Sequence, residues 1–295
     1  MSKLPNIKYR LLSGFGIAGL LFTAFFLMPD VGLPFLLAAL AVVLSLEFYR
    51  MLSAAEIPNF NCYGTVAVVS LVAVTWLSGV QTQKTLEGTW DAVVMFLITV
   101  GIFLRQFPQK NNPKPLLTIA GTLFGVLYVG LLWNFLTKLL VWGRPEQVQG
   151  IYMPGRWLLM YVLFAAKFTD IGAYLCGCAF GRHKLIPRIS PAKSWEGVLG
   201  GMAVATMAGT LLVYGLADVY APFGLTWQRA IPLGLGLSVC AVVGDLTESL
   251  FKRASGVKDS ASVIPGMGGL LDVLDSVLFT APAFYLYLRL VACWG

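Results

Sequence analysis

Runs of about twenty apolar residues, separated by short polar stretches, follow one another along the whole chain. Nine can be drawn, at roughly 11–28, 33–51, 64–80, 91–107, 116–142, 157–180, 196–217, 231–250 and 273–293. Each approaches the ~20 residues a helix needs to cross about 30 Å of hydrocarbon. The runs are continuous rather than alternating, and lipid offers no partners to open backbone groups, so helices rather than a barrel are expected. The predicted fold is all-α: a polytopic integral membrane protein with about nine transmembrane helices. Lys3, Lys8 and Arg10 precede the first run as in a signal peptide, but Met28-Pro29-Asp30 makes a poor cleavage site. That run is read as a retained helix.

Composition agrees, with 58% hydrophobic and 12% charged residues in 295, against about 25% charged in soluble domains. Charge adds orientation. With the N-terminus in the cytoplasm and loops assigned alternately, fourteen Lys and Arg fall inside and five outside, which is the positive-inside pattern. The net charge of +7 is therefore mainly a topology signal. A nucleic-acid partner would need a soluble basic face, and none is present. Cys62, Cys176, Cys178, Cys240 and Cys293 are scattered and lack a histidine pair. They read as free thiols acting as small apolar residues rather than a zinc site.

Ionisable groups inside the spans are unevenly spread. Before residue 115 there are few, Glu47 among them; after 155 come Lys167, Asp170, Glu196, Asp245 and Glu248. Such groups are costly in lipid and mark function. Residues 1–155 are thus read as scaffold, anchor or dimer surface, and 156–295 as the catalytic half of one membrane domain.

Two segments in that half carry the chemistry. In K-F-T-D-I-G-A-Y, Lys167, Asp170 and Tyr174 share one helix face. The basic loop that follows ends in Ser190-Pro191 and Ser194, which are expected to cap the next helix, with Glu196 in its first turn. The second segment runs from Gly244 to Asp275. Asp245 and Glu248 are followed by Lys252, Arg253, Lys258 and Asp259, then Pro265-Gly-Met-Gly-Gly269, then Asp272 and Asp275. Carboxylates suit a hard divalent cation shared with phosphates. Lys and Arg complement phosphate charge. Gly266, Gly268 and Gly269 allow backbone to approach a ligand closely. Together they point to metal and phosphate beside a membrane.

The stretch S-L-F-K-R-A-S-G-V-K-D-S-A-S-V-I-P-G-M-G-G-L-L-D-V-L-D-S, with D-I-G-A-Y and I-S-P-A-K-S-W-E-G upstream, resembles the signature of phosphatidate cytidylyltransferases, the CDP-diacylglycerol synthases. The resemblance is close over about 165–280. It implies condensation of CTP with phosphatidic acid, release of pyrophosphate, and Mg²⁺ at Asp245, Asp272 and Asp275. A second, monovalent cation such as K⁺ is a family-level expectation. The apolar spans set the protein in a bilayer and the charge count turns the site to the cytoplasm; a bacterial inner membrane and a homodimer through the first spans are further expectations. Lys193, Lys252 and Arg253 are then expected to hold phosphate oxygens, and Ser190 and Ser194 to donate hydrogen bonds. Asp170, Glu248, Lys258 and Asp259 would orient or support. The chain departs from the pattern at Met267, where histidine is usual, at Val273 for arginine, and in Pro-Ala-Lys before Ser194 for Pro-Lys-Lys. Two other readings stand beside this one: transfer to another lipid or lipid phosphate by a nucleotidyltransferase or kinase, and a cation-coupled transporter.

Overall fold

The computed structural model describes residues 16, 19, 23, 26–29, 31–80, 89–142, 154–264, 266 and 268–294. The first predicted span and Met267 lie essentially outside them. The chain divides into two units, Met1–Met153 with Ala254–Val273, and Pro154–Arg253 with Leu274–Gly295.

The first unit contains α1 (Gly32–Ala54), α2 (Asn61–Val80), α3 (Thr89–Gln106), α4 (Pro115–Gly125) and α5 (Leu132–Val141). A single π-helical stretch, Val126–Leu131, joins α4 to α5 into one continuous span. Its polar groups point inward. Trp133 donates to the Leu37 carbonyl at 2.9 Å and Tyr49 to that of Thr122 at 2.8 Å. Asp91 pairs with Lys138 and accepts from Thr75 at 3.1 Å. Large apolar side chains such as Phe96, Leu104 and Leu116 face outward. Partnered polar groups held within an apolar core, with large apolar side chains on the outside, fit a lipid surround.

The second unit contains α6 (Arg156–Phe180), strands β1 (Lys184–Ile186) and β2 (Ser190–Ser194), α7 (Trp195–Gly215), the short α8 (Ala217–Tyr220) and α9 (Trp227–Ala254). The last helix, α10 (Leu270–Trp294), begins in the first unit and continues in the second. Along α7 the buried positions are Gly197, Gly201, Ala205, Gly209 and Val213, one every four residues. This small-residue stripe lets α6 come within backbone contact. A Cβ on Gly201 would lie 2.7 Å from the Thr169 carbonyl oxygen, and one on Gly172 would lie 3.0 Å from the Gly201 Cα. Close backbone approach of this kind is how helices associate in lipid, where burial of apolar surface gives no drive.

Among the described residues seven helices are long and apolar enough to cross a membrane, so the protein is an integral membrane protein. They match seven of the nine predicted spans. The run expected at 91–107 is also a helix, α3, with Asp91 in its first turn and Arg105 in its last. The basic loop after α6 also differs from expectation: it folds as the β1–β2 hairpin, with Lys184 opposite Ser194 and Ile186 opposite Ser190.

Candidate active site

The acids and bases of the second unit pair off. Lys167 Nζ lies 3.0 Å from Asp170 Oδ2 on α6. Lys193, in β2, lies 2.5 Å from Asp245 Oδ2 on α9. One turn on, Lys252 is bridged to the fully buried Glu248. Asp275 of α10 is 5% exposed and has no such lysine among the described residues. Its Oδ1 accepts the Ser276 amide at 2.5 Å, and the Ser276 hydroxyl donates to Asp170 Oδ2 at 3.3 Å. Asp275 feels the charges of Asp245, Asp170 and Lys167. A buried carboxylate set beside another carboxylate calls for a cation or coordination to a metal.

Gly244 makes this proximity possible, and sequence reasoning assigned it no role. A Cβ there would lie 2.6 Å from the Asp275 carbonyl oxygen and 3.2 Å from the Ser276 Cα. The α9 and α10 backbones therefore touch one residue from Asp245. The signal was present in the Gly-Asp pair at 244–245, but its meaning depends on which helix lies opposite.

The hairpin sets the start of α7. Ser194 Oγ accepts the Gly197 amide at 3.2 Å, an N-cap bond. Ser190 does not cap: it is in β2, paired with Ile186. Glu196 folds back on the hairpin, accepting from the Arg182 and His183 amides at 3.1 and 3.2 Å and meeting His183 Nδ1 at 2.5 Å. Arg253 Nε donates to the Ile189 carbonyl at 3.3 Å, tying α9 to the hairpin turn. Lys193, Ser194, Asp245 and Arg253 are thus placed by one small structure.

The glycine-rich loop belongs to the first unit. Ile264 and Gly268 exchange backbone hydrogen bonds of 2.8 and 3.1 Å. Gly266 and Gly268 take positive φ of 77° and 98° inside that tight closure, a conformation that side chains resist. Lys258 and Asp259 are exposed on the loop before it. Asp272 clamps the loop. Its Oδ2 accepts from the Gly269 amide at 2.6 Å and from the Ser260 amide and hydroxyl, each at 3.0 Å. The bond from the third helical position back to the cap amide is half of a capping box.

The donor chemistry suits Mg²⁺. Asp275 lies within electrostatic reach of the Asp245 carboxylate, and Mg²⁺ commonly takes one or two hard carboxylates plus substrate phosphates. Among the described residues no three acids, histidines or cysteines form a ready-made cage, and a site shared with a nucleotide needs none.

A cytidylyltransferase family model matches residues 8–291. The chain belongs to the cytidylyltransferase family. Its similarity to phosphatidate cytidylyltransferases is extensive. The Chlamydia pneumoniae enzyme is 30% identical over 91% of this chain and 86% of its own length, and that of Pseudomonas aeruginosa is 37% identical over 78% and 87%. The Haemophilus influenzae enzyme is 45% identical over a shorter stretch, 45% of this chain and 46% of that protein. Family membership removes the ground for a transporter reading.

Proposed function

We propose that the protein transfers CMP from CTP to phosphatidic acid, giving CDP-diacylglycerol and pyrophosphate. The observation that carries this reading is Asp275: a buried carboxylate beside Asp245, in a unit where the neighbouring acids each have a lysine. Such a pair is built to receive a divalent cation with a nucleotide. Asp245 and Asp275 would hold Mg²⁺. Asp272, whose Oδ2 is committed to the glycine-rich loop, would hold that loop rather than ligate. When bound, Mg²⁺ supplies positive charge that screens phosphate from phosphate and stabilises the leaving pyrophosphate.

In the reaction a phosphatidate oxygen bonds to the α-phosphorus of CTP as the bond to the β-phosphate oxygen breaks. The phosphomonoester is already largely dianionic, its second pKa lying around 6, so no strong base is needed and a histidine at position 267 is dispensable. Lys193 and Arg253, on the hairpin and the end of α9, would hold phosphate oxygens. Lys193 would exchange Asp245 for phosphate as the nucleotide enters. The capped start of α7 offers further N–H groups at Ser194. Lys252 remains with Glu248 and positions that end of α9.

The Lys167 ammonium already supplies a monovalent charge beside Asp170, so Mg²⁺ alone is expected to suffice. Replacing K⁺ with choline should leave turnover unchanged, and a requirement for K⁺ would show that Lys167 does not fill this role. The basic loops are proposed to face the cytoplasm of a bacterial inner membrane, where CTP is found. In a cysteine-free background, a cysteine at Lys184 or Lys258 should react only with cytoplasmic reagent; labelling from outside would reverse the orientation. Substrate identity is tested with purified protein, labelled CTP, Mg²⁺ and a panel of lipid phosphates. Phosphatidate should be the preferred acceptor, and preference for a polyprenyl phosphate would overturn that assignment.

A further inference from the structure

We infer that Glu47, on the scaffold helix α1, is a positioning residue for the catalytic segment more than two hundred residues away. This inference rests on the cytidylyltransferase reading. Glu47 is 1% exposed inside a membrane span, two turns before the C-terminal end of α1. An acid there needs compensation. Asp91, on α3 of the same unit, has Lys138. Glu47 instead receives backbone: the Leu270 amide reaches Oε1 at 2.9 Å and the Leu271 amide reaches Oε2 at 2.8 Å. The Ser260 hydroxyl lies 3.2 Å from Oε2.

Those amides are the first two of α10, which have no partner within their own helix. A carboxylate at that end also meets the positive pole of the helix. Asp272 takes the preceding amide, of Gly269, and Ser260 lies within hydrogen-bond reach of both carboxylates. Two acids from distant parts of the sequence thus cap one helix start through a shared serine. Gly269 leaves the room: a Cβ there would stand 2.6 Å from Glu47 Oε2. Asp272 and Asp275 occupy the first two turns of this helix, so the rotation of its start determines where both carboxylates point. Glu47 fixes that rotation without being a ligand.

The test compares wild-type protein with Glu47→Gln, Ser260→Ala and Trp133→Phe. The last removes a buried hydrogen bond to Leu37 elsewhere in the same unit and serves as a stability control. Glutamine keeps one acceptor but turns an NH₂ toward backbone N–H. Glu47→Gln should lower kcat by about 10²-fold, the scale of an ångström-sized misplacement, with much less change in KM for CTP. Hydrogen exchange at the Leu270 and Leu271 amides should accelerate about tenfold, while exchange in α2 stays as in wild type. Ser260→Ala, which leaves both carboxylates in place, should show the same pattern more weakly. Trp133→Phe should melt lower with kcat unchanged. Wild-type kcat and wild-type exchange at Leu270 and Leu271 in Glu47→Gln would overturn the proposal. So would an equal loss of kcat in Trp133→Phe, which would reduce Glu47 to general stability. If wild-type protein makes no CDP-diacylglycerol, the functional reading fails, and amide exchange still decides whether Glu47 holds the helix.

Discussion

Asp275→Asn and Asp245→Asn are each expected to lower kcat by about 10³-fold, the upper range for losing one preorganised electrostatic group. The folded protein should not suffer. Asp275 is a buried carboxylate with no lysine bridged to it among the described residues, so its neutral isostere should melt at the same temperature or higher, as when strain held for function is released. Asp272→Asn should behave differently. Its Oδ2 accepts three donors, and an amide there leaves some of them unsatisfied, at about 1–3 kcal/mol. Activity and melting temperature should fall together in that variant. Activity assays with melting curves in detergent separate the two patterns. Near-normal turnover in Asp275→Asn would remove that residue from the catalytic centre.

Gly244→Ala is the second large expected effect, although it adds a single methyl group. The new Cβ would meet the Asp275 carbonyl at 2.6 Å, which is backbone and cannot rotate away. The α9 and α10 backbones must part beside both Asp245 and Asp275, and a shift of that size is expected to cost about 10²-fold in kcat. Gly236→Ala is the control. It lies on the same helix with nothing within 4 Å of the added atom, and helix propensity favours alanine there by up to about 1 kcal/mol. Equal turnover in the two variants would show that the close approach at Gly244 has no role in catalysis.

These contrasts mark what was legible in the sequence. The helical fold was, because crossing hydrocarbon forces long apolar runs whatever their packing. The cap at Ser194 was legible because its signal lies within three residues, with the Gly197 amide. The hairpin at 184–194 was not: its strands are too short for a two-residue alternation to emerge from a basic loop. Nor were the partners of the acids. Lys193 pairs with Asp245 across fifty-two positions, and Glu47 reaches Leu271 across 224. Spacing rules describe neighbours on one helix and say nothing about which helices meet. Asp272 shows the opposite limit. An acid at a helix start reads equally as a cap or as a metal ligand, and only the donors around Oδ2 show that it clamps the loop. The helix at 91–107 was legible as well, in α3, with Asp91 and Arg105 at its ends.

The central claim is that the nucleotide's α-phosphorus, rather than its γ-phosphorus, is transferred to the lipid. Purified protein incubated with phosphatidate, Mg²⁺ and CTP labelled at either the α- or the γ-phosphate tests this directly. The account predicts that α-label passes into the organic phase as CDP-diacylglycerol, while γ-label stays in water as pyrophosphate. Gamma-label in the lipid, with α-label left in water, would contradict it and make the protein a lipid kinase.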